Sequence, residues 1–70
     1  MKRLSFLVNL GENDRLMAHG LDWAIYAEAL SWKELADGIR DCVRREFAEG
    51  DRPARLDFLF VDGRMISLCA

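Results

Sequence analysis

Apolar and polar residues alternate from the third residue onward. In "RLSFLVNL", Leu4, Phe6, Val8 and Leu10 fall on one side, with Arg3, Ser5, Leu7 and Asn9 on the other. That is the period of a half-buried strand. "GENDR" (Gly11 to Arg15) follows with residues that accept left-handed backbone or bond their own main chain, which predicts a turn. "LMAHGL" (Leu16 to Leu21) reads as the returning strand of a hairpin, with Gly20 weakening it or marking a bulge. After a break at "DW", "AIYAEA" predicts a third strand, although its alanines would suit a helix as well.

The period then changes. Leu35, Ile39, Cys42, Val43 and Phe47 recur at helical spacing and form one apolar stripe. Ser31, followed three residues later by Glu34, predicts a capping box: hydroxyl to the Glu34 amide, carboxylate back to the Ser31 amide. Glu34 and Asp37 near the start, and Arg44 and Arg45 near the end, suit the helix dipole. Gly38 costs about 1 kcal/mol against alanine in a helix interior, and its presence suggests a close approach to the sheet. Gly50 is expected to cap the helix, with Pro53 beyond it. "ARLDFLFV" restores alternation, with Leu56, Phe58 and Phe60 opposed to Arg55, Asp57, Leu59 and Val61. Asp62-Gly63 predicts a two-residue hairpin turn, and "RMISL" a returning strand that pairs within the chain or across a dimer. The expected fold is α+β: an antiparallel sheet with one helix packed on one face. Its order is β-β-β-α-β with a fifth strand at the C-terminus, in one domain over residues 1–70.

Seventy residues are few for a self-sufficient core, and chains of this size lean on disulfides, metals or oligomerisation. Cys42 and Cys69 are the only cysteines, without Cys-x-x-Cys or Cys/His spacing for zinc. Cys42 falls on the apolar side of the helix, while Cys69, one residue from the end, is expected to be loose. Self-association is the remaining support. The segment "MKRLSFLVNLGENDR" is basic and then apolar, but its apolar run is broken by Ser5 and Asn9, so a cytoplasmic, reduced protein is expected. No apolar run approaches the roughly 20 residues of a membrane span, and no membrane association is expected. The net charge of −2 argues against wholesale neutralisation of phosphates.

Candidate chemistry is sparse. Asp14, Asp22, Asp57 and Asp62 do not form a metal-binding pattern, and three of them fall in turns. His19 has no neighbouring nucleophile or second ligand. Neither catalysis nor a cofactor is expected. Leu7, Leu59 and Val61 alternate with the core residues and should form an apolar patch on the face away from the helix, extended by Met65 and Ile66 of the last strand; such a patch marks an interface. Open edge strands offer a second route to a partner. The runner-up surface is the arginine set Arg40, Arg44, Arg45, Arg52 and Arg55, which could contact RNA phosphates. Asp37, Asp41, Glu46, Glu49 and Asp51 lie among them, with Asp41 and Arg45 at the spacing of a solvated pair.

The element order and "IYAEALSWKELADGIRDCVRREF" together resemble the HicB-like antitoxin family, in particular its short members built of the N-terminal domain alone. Ser31 matches the family's cap, Glu34 its capping acid, and Leu35, Ile39 and Val43 its core-facing positions. "RPARLDFLFV" resembles the strand that ends the short members. Where the family often carries a "PDLPG"-like turn, this chain has "LDWA", and the family's contacts through that loop are not carried over. The resemblance implies a fold similar to a truncated ribonuclease H or double-stranded-RNA-binding domain. It implies an interaction module whose partner is a small ribonuclease toxin, beside the self-association expected from the chain's size and its sheet face. Operator-DNA binding in this family belongs to a separate C-terminal domain, so DNA is not expected as a partner.

Overall fold

In the computed structural model, which describes residues 2–70, the elements follow the order read from the sequence. They are β1 (Arg3–Leu10), β2 (Leu16–Gly20), β3 (Tyr26–Ala29), α1 (Trp32–Glu46), β4 (Arg55–Phe60) and β5 (Met65–Cys69). The strands form one sheet in the order β3-β2-β1-β4-β5, with α1 on one face. The class is α+β.

The sheet is mixed rather than antiparallel throughout. β1–β2, β2–β3 and β4–β5 are antiparallel, whereas β1 and β4 are parallel, with Leu4 opposite Leu56, Phe6 opposite Phe58 and Val8 opposite Phe60. Two antiparallel steps leave β3 running the same way as β1, and α1 then returns the chain to the end where β3 began. The next strand must therefore run parallel to both, as crossover connections require. The last strand pairs with β4 of its own chain.

Local sequence explains the turns. Asn13 and Asp14 sit at φ 59° and 60°, the left-handed backbone that Asn and Asp tolerate. The turn is closed by the Arg15 amide donating to the Glu12 carbonyl at 3.2 Å. At Gly20 the amide donates to the Ile25 carbonyl at 2.8 Å, and a Cβ there would lie 2.2 Å from the Trp23 carbonyl oxygen. Glycine is required by this backbone approach.

The second hairpin departs from the expected two-residue turn. The Gly63 amide donates to the Phe60 carbonyl at 2.9 Å, and the Phe60 amide to the Arg64 carbonyl at 2.8 Å. Gly63 takes φ 95°, so the loop is the three-residue kind that ends in a glycine bulge. The additional loop residue shifts the register by one.

Leu4, Phe6, Val8, Leu56 and Phe58 of the sheet are buried under Leu35, Ile39, Val43 and Phe47, and Phe60 packs on this cluster partly exposed. Phe6 stacks on Phe58 with centroids 5.3 Å apart, and Trp32 meets Phe58 edge-on at 5.0 Å. Leu10 has the parity of the core residues but is 63% exposed, because it ends β1 outside the buried cluster. Ala18 and Ile25 are buried, two core positions that alternation did not assign.

The helix starts as expected. Ser31 is the N-cap, and its Oγ accepts from the Glu34 amide at 3.2 Å; the reciprocal bond from the Glu34 carboxylate is not among its contacts. Its end differs. Phe47 leaves the helix in extended backbone, φ −116° and ψ 135°, which buries its ring against Trp23 with centroids 4.8 Å apart. Gly50 instead lies in a short helical turn (Glu49–Asp51). The helix's last carbonyls are served by Arg52, whose guanidinium donates to the Arg44 and Phe47 oxygens at 3.1 and 3.3 Å. Both cysteines are free: Cys42 is half-buried against the core, and Cys69 is paired into β5 rather than loose.

Candidate protein-interaction surface

Side chains alternate faces along a strand, so every residue out of phase with the core points away from α1. Across the sheet these residues form rows fixed by the strand register. One row crosses all five strands: Tyr26 opposite His19, His19 opposite Leu7, Leu7 opposite Leu59, and Leu59 opposite Met65. Its middle and right are apolar. Leu7 is half-buried, while Leu59 and Met65 are 39% and 59% exposed. Val61, just past the end of β4, is 67% exposed and lies in the hairpin loop, where it borders a cleft with Asn9, Leu10, Leu16 and Phe60 rather than the row.

Three of the five predicted patch residues, Leu7, Leu59 and Met65, therefore share the row, and Val61 and Ile66 do not. Ile66 lies opposite Phe58, on the side that carries α1. The three-residue hairpin explains this. A two-residue turn would have placed Ile66 opposite Leu59, and the added residue puts Met65 there instead, since a one-step slip exchanges faces. His19 and Tyr26 complete the row. Sequence periodicity gave no signal for them, because the facing of β2 and β3 depends on pairings with β1.

The row is bounded by polar groups. Below it, Asp57 is buried although it lies on the open face. Its carboxylate accepts from the Ser67 hydroxyl and from the Arg3 guanidinium, the latter at 2.9 Å. The Ser67 bond, then the Arg3 bond and charge, hold the Asp57 pKa below the usual carboxylate range. At the β3 edge, Glu28 accepts from the Tyr26 hydroxyl at 2.9 Å and from Arg15 at 3.2 Å. The carboxylate raises the pKa of Tyr26, chiefly through that hydrogen bond.

The arginine set is dispersed. Arg40 pairs with Asp37 at 3.6 Å and donates to the Cys69 carbonyl at 3.2 Å. Arg44 pairs with Asp41 at 3.4 Å, the partner assigned to Arg45 by spacing. Arg45 contacts the Cys42 sulfur instead, and Arg52 caps the helix. Arg55 has the phase of Asp57 and Leu59 and lies on the opposite face of the sheet from α1. Arg40 and Arg44 do border an open groove of about 530 Å³ between α1 and the end of β5, but Asp37 and Asp41 line it with them. Its charge is balanced.

Among the described residues, no three His, Cys, Asp or Glu side chains come together in a metal-binding cluster. Asp14, Asp22 and Asp62 occupy turns, and Asp57 is committed to Ser67 and Arg3. No helix among the described residues is long and apolar enough to cross a membrane. No protein-family model matches the chain, and no curated protein or solved structure matches it.

Proposed function

We propose that this chain is a cytoplasmic HicB-like interaction module, antitoxin-like, which binds a small ribonuclease toxin on the open face of its sheet. The observation that carries this reading is the row from Tyr26 to Met65. Each strand contributes one residue, its middle is apolar, and α1 lies on the other side. Exposed apolar patches with polar borders are the usual mark of protein partners. The β-β-β-α-β order, the Ser31 cap and the burial of Leu35, Ile39 and Val43 agree with the family pattern. The net charge of −2 complements the basic surface that an RNA-cleaving partner needs. In this reading the chain performs no catalytic step of its own.

Leu59→Arg tests it, placing a charge in the centre of the row. The wild-type chain should capture a small ribonuclease from its native lysate and inhibit that protein's cleavage of RNA. The variant, with unchanged circular dichroism, should do neither. Equal capture by both chains would defeat the reading. A strong, steeply salt-dependent gel shift with duplex RNA would replace it with the arginine-side alternative.

A further inference from the structure

β5 and β3 are the two edges of the sheet, and they differ. β3 has four residues and carries Glu28, tied to Arg15. β5 reads Met-Ile-Ser-Leu-Cys, without the charge or proline that commonly blunts an exposed edge. Its backbone polarity follows from the hairpin bonds. Phe60 pairs with Arg64, and the Ala70 amide donates to the Ala54 carbonyl at 3.1 Å. Hydrogen-bonded pairs alternate along an antiparallel ladder, so Ile66 and Leu68 bond inward to Phe58 and Leu56. Met65, Ser67 and Cys69 therefore direct their amides and carbonyls outward. The Cys69 carbonyl already receives Arg40 and retains a second lone pair.

We infer that β5 is a self-complementary edge, and that two copies of the chain join β5 to β5 antiparallel about a two-fold axis through Ser67. Full overlap of the strand with itself places Ser67 opposite Ser67 of the second copy and Met65 opposite Cys69 of the second copy. All three outward residues then meet outward residues, so no edge amide is stranded. On the α1 side the same register sets Ile66 against Leu68 of the second copy. Ile66 is exposed and Leu68 half-buried in the single chain. An isologous contact of this kind closes on itself, as two-fold symmetry requires, and it turns two five-stranded sheets into one continuous sheet. Met65 lends its backbone to this seam while its side chain stays on the open face beside Leu59, so the row from Tyr26 to Leu59 proposed above as the partner surface lies clear of it. The seam is short beside a standard interface of roughly 1,600 Å², so the dimer dissociates on dilution.

Sedimentation equilibrium over a wide concentration range reads the result. The wild-type chain should show a reversible dimer. Ser67→Pro removes the central outward amide while leaving the inward ladder, and Ile66→Lys places a charge in the seam; both should be monomeric at concentrations where the wild type is dimeric. Leu59→Arg should still dimerise. Oxidised Met65→Cys should form a covalent dimer linking position 65 to the native Cys69 of the second copy. Hydrogen-bonded cross-strand Cα atoms lie about 5.5 Å apart, within the roughly 4.4–6.8 Å that a disulfide spans. A wild type that stays monomeric overturns the inference, as does a dimer lost in Leu59→Arg but kept in both edge variants. Linkage of 65 to 65 overturns the register. If Ser67→Pro does not fold, Ile66→Lys and the cross-link decide.

Discussion

At Gly38 a Cβ would rest 3.8 Å from that of Ala27, an ordinary van der Waals distance, in a helical position where glycine is costly. Gly38→Ala should raise stability by about 0.5–1 kcal/mol in urea unfolding. The glycine is therefore not required by a close approach, because the space beside it holds a methyl group. Gly20 is the reverse case, since its Cβ would strike the Trp23 carbonyl, and Gly20→Ala should cost about 1–3 kcal/mol. Both glycines were visible in the sequence, but only the fold around them separates the two outcomes. Asp57 carries a pH signature. Its folded pKa is depressed, so its stabilising effect is present above the unfolded value of about 3.9 and is lost as pH falls through the folded value. Asp57→Ala should destabilise by about 1–3 kcal/mol at neutral pH. That gap should narrow in unfolding curves recorded below about pH 4.

Among the elements, α1 was the most legible because a cap, a stripe and a charge gradient all marked it. Ser31→Ala removes the one cap bond that forms and should cost about 1 kcal/mol in thermal or urea unfolding. The helix's end was less legible. Gly50 offered a plausible stop, but burying Phe47 against Trp23 pulls the chain out of the helix earlier, and Arg52 serves the carbonyls left behind. Such a tertiary contact leaves no periodic trace. The β4–β5 hairpin shows the same limit. Asp62-Gly63 located the turn, but loop length decided whether Met65 or Ile66 joined the open face, and both loop types use glycine.

For the molecule as a whole, alternation identified the strands but not which strand lies beside which. Leu4, Phe6 and Val8 look alike whether their neighbour is antiparallel β2 or parallel β4. The parallel pair at the centre ties the start of the chain to its last third, with Arg3 bonded to Asp57 and the Ala54 and Arg55 amides donating to the Lys2 carbonyl at 3.1 Å. Contacts so distant in sequence form late, after loop closure has been met. A chain ending at Ala54 lacks Leu56 and Phe58, the buried lid of the core's far half, and should show no cooperative urea transition by circular dichroism.

That central pairing also matters during synthesis. Until Arg55–Phe60 leaves the ribosome, one flank of "RLSFLVNL" has no strand beside it, and its apolar residues are open to any extended segment nearby. The newborn polypeptide is most prone to misassociate in that interval, and the arrival of the parallel strand beside it is what ends the hazard.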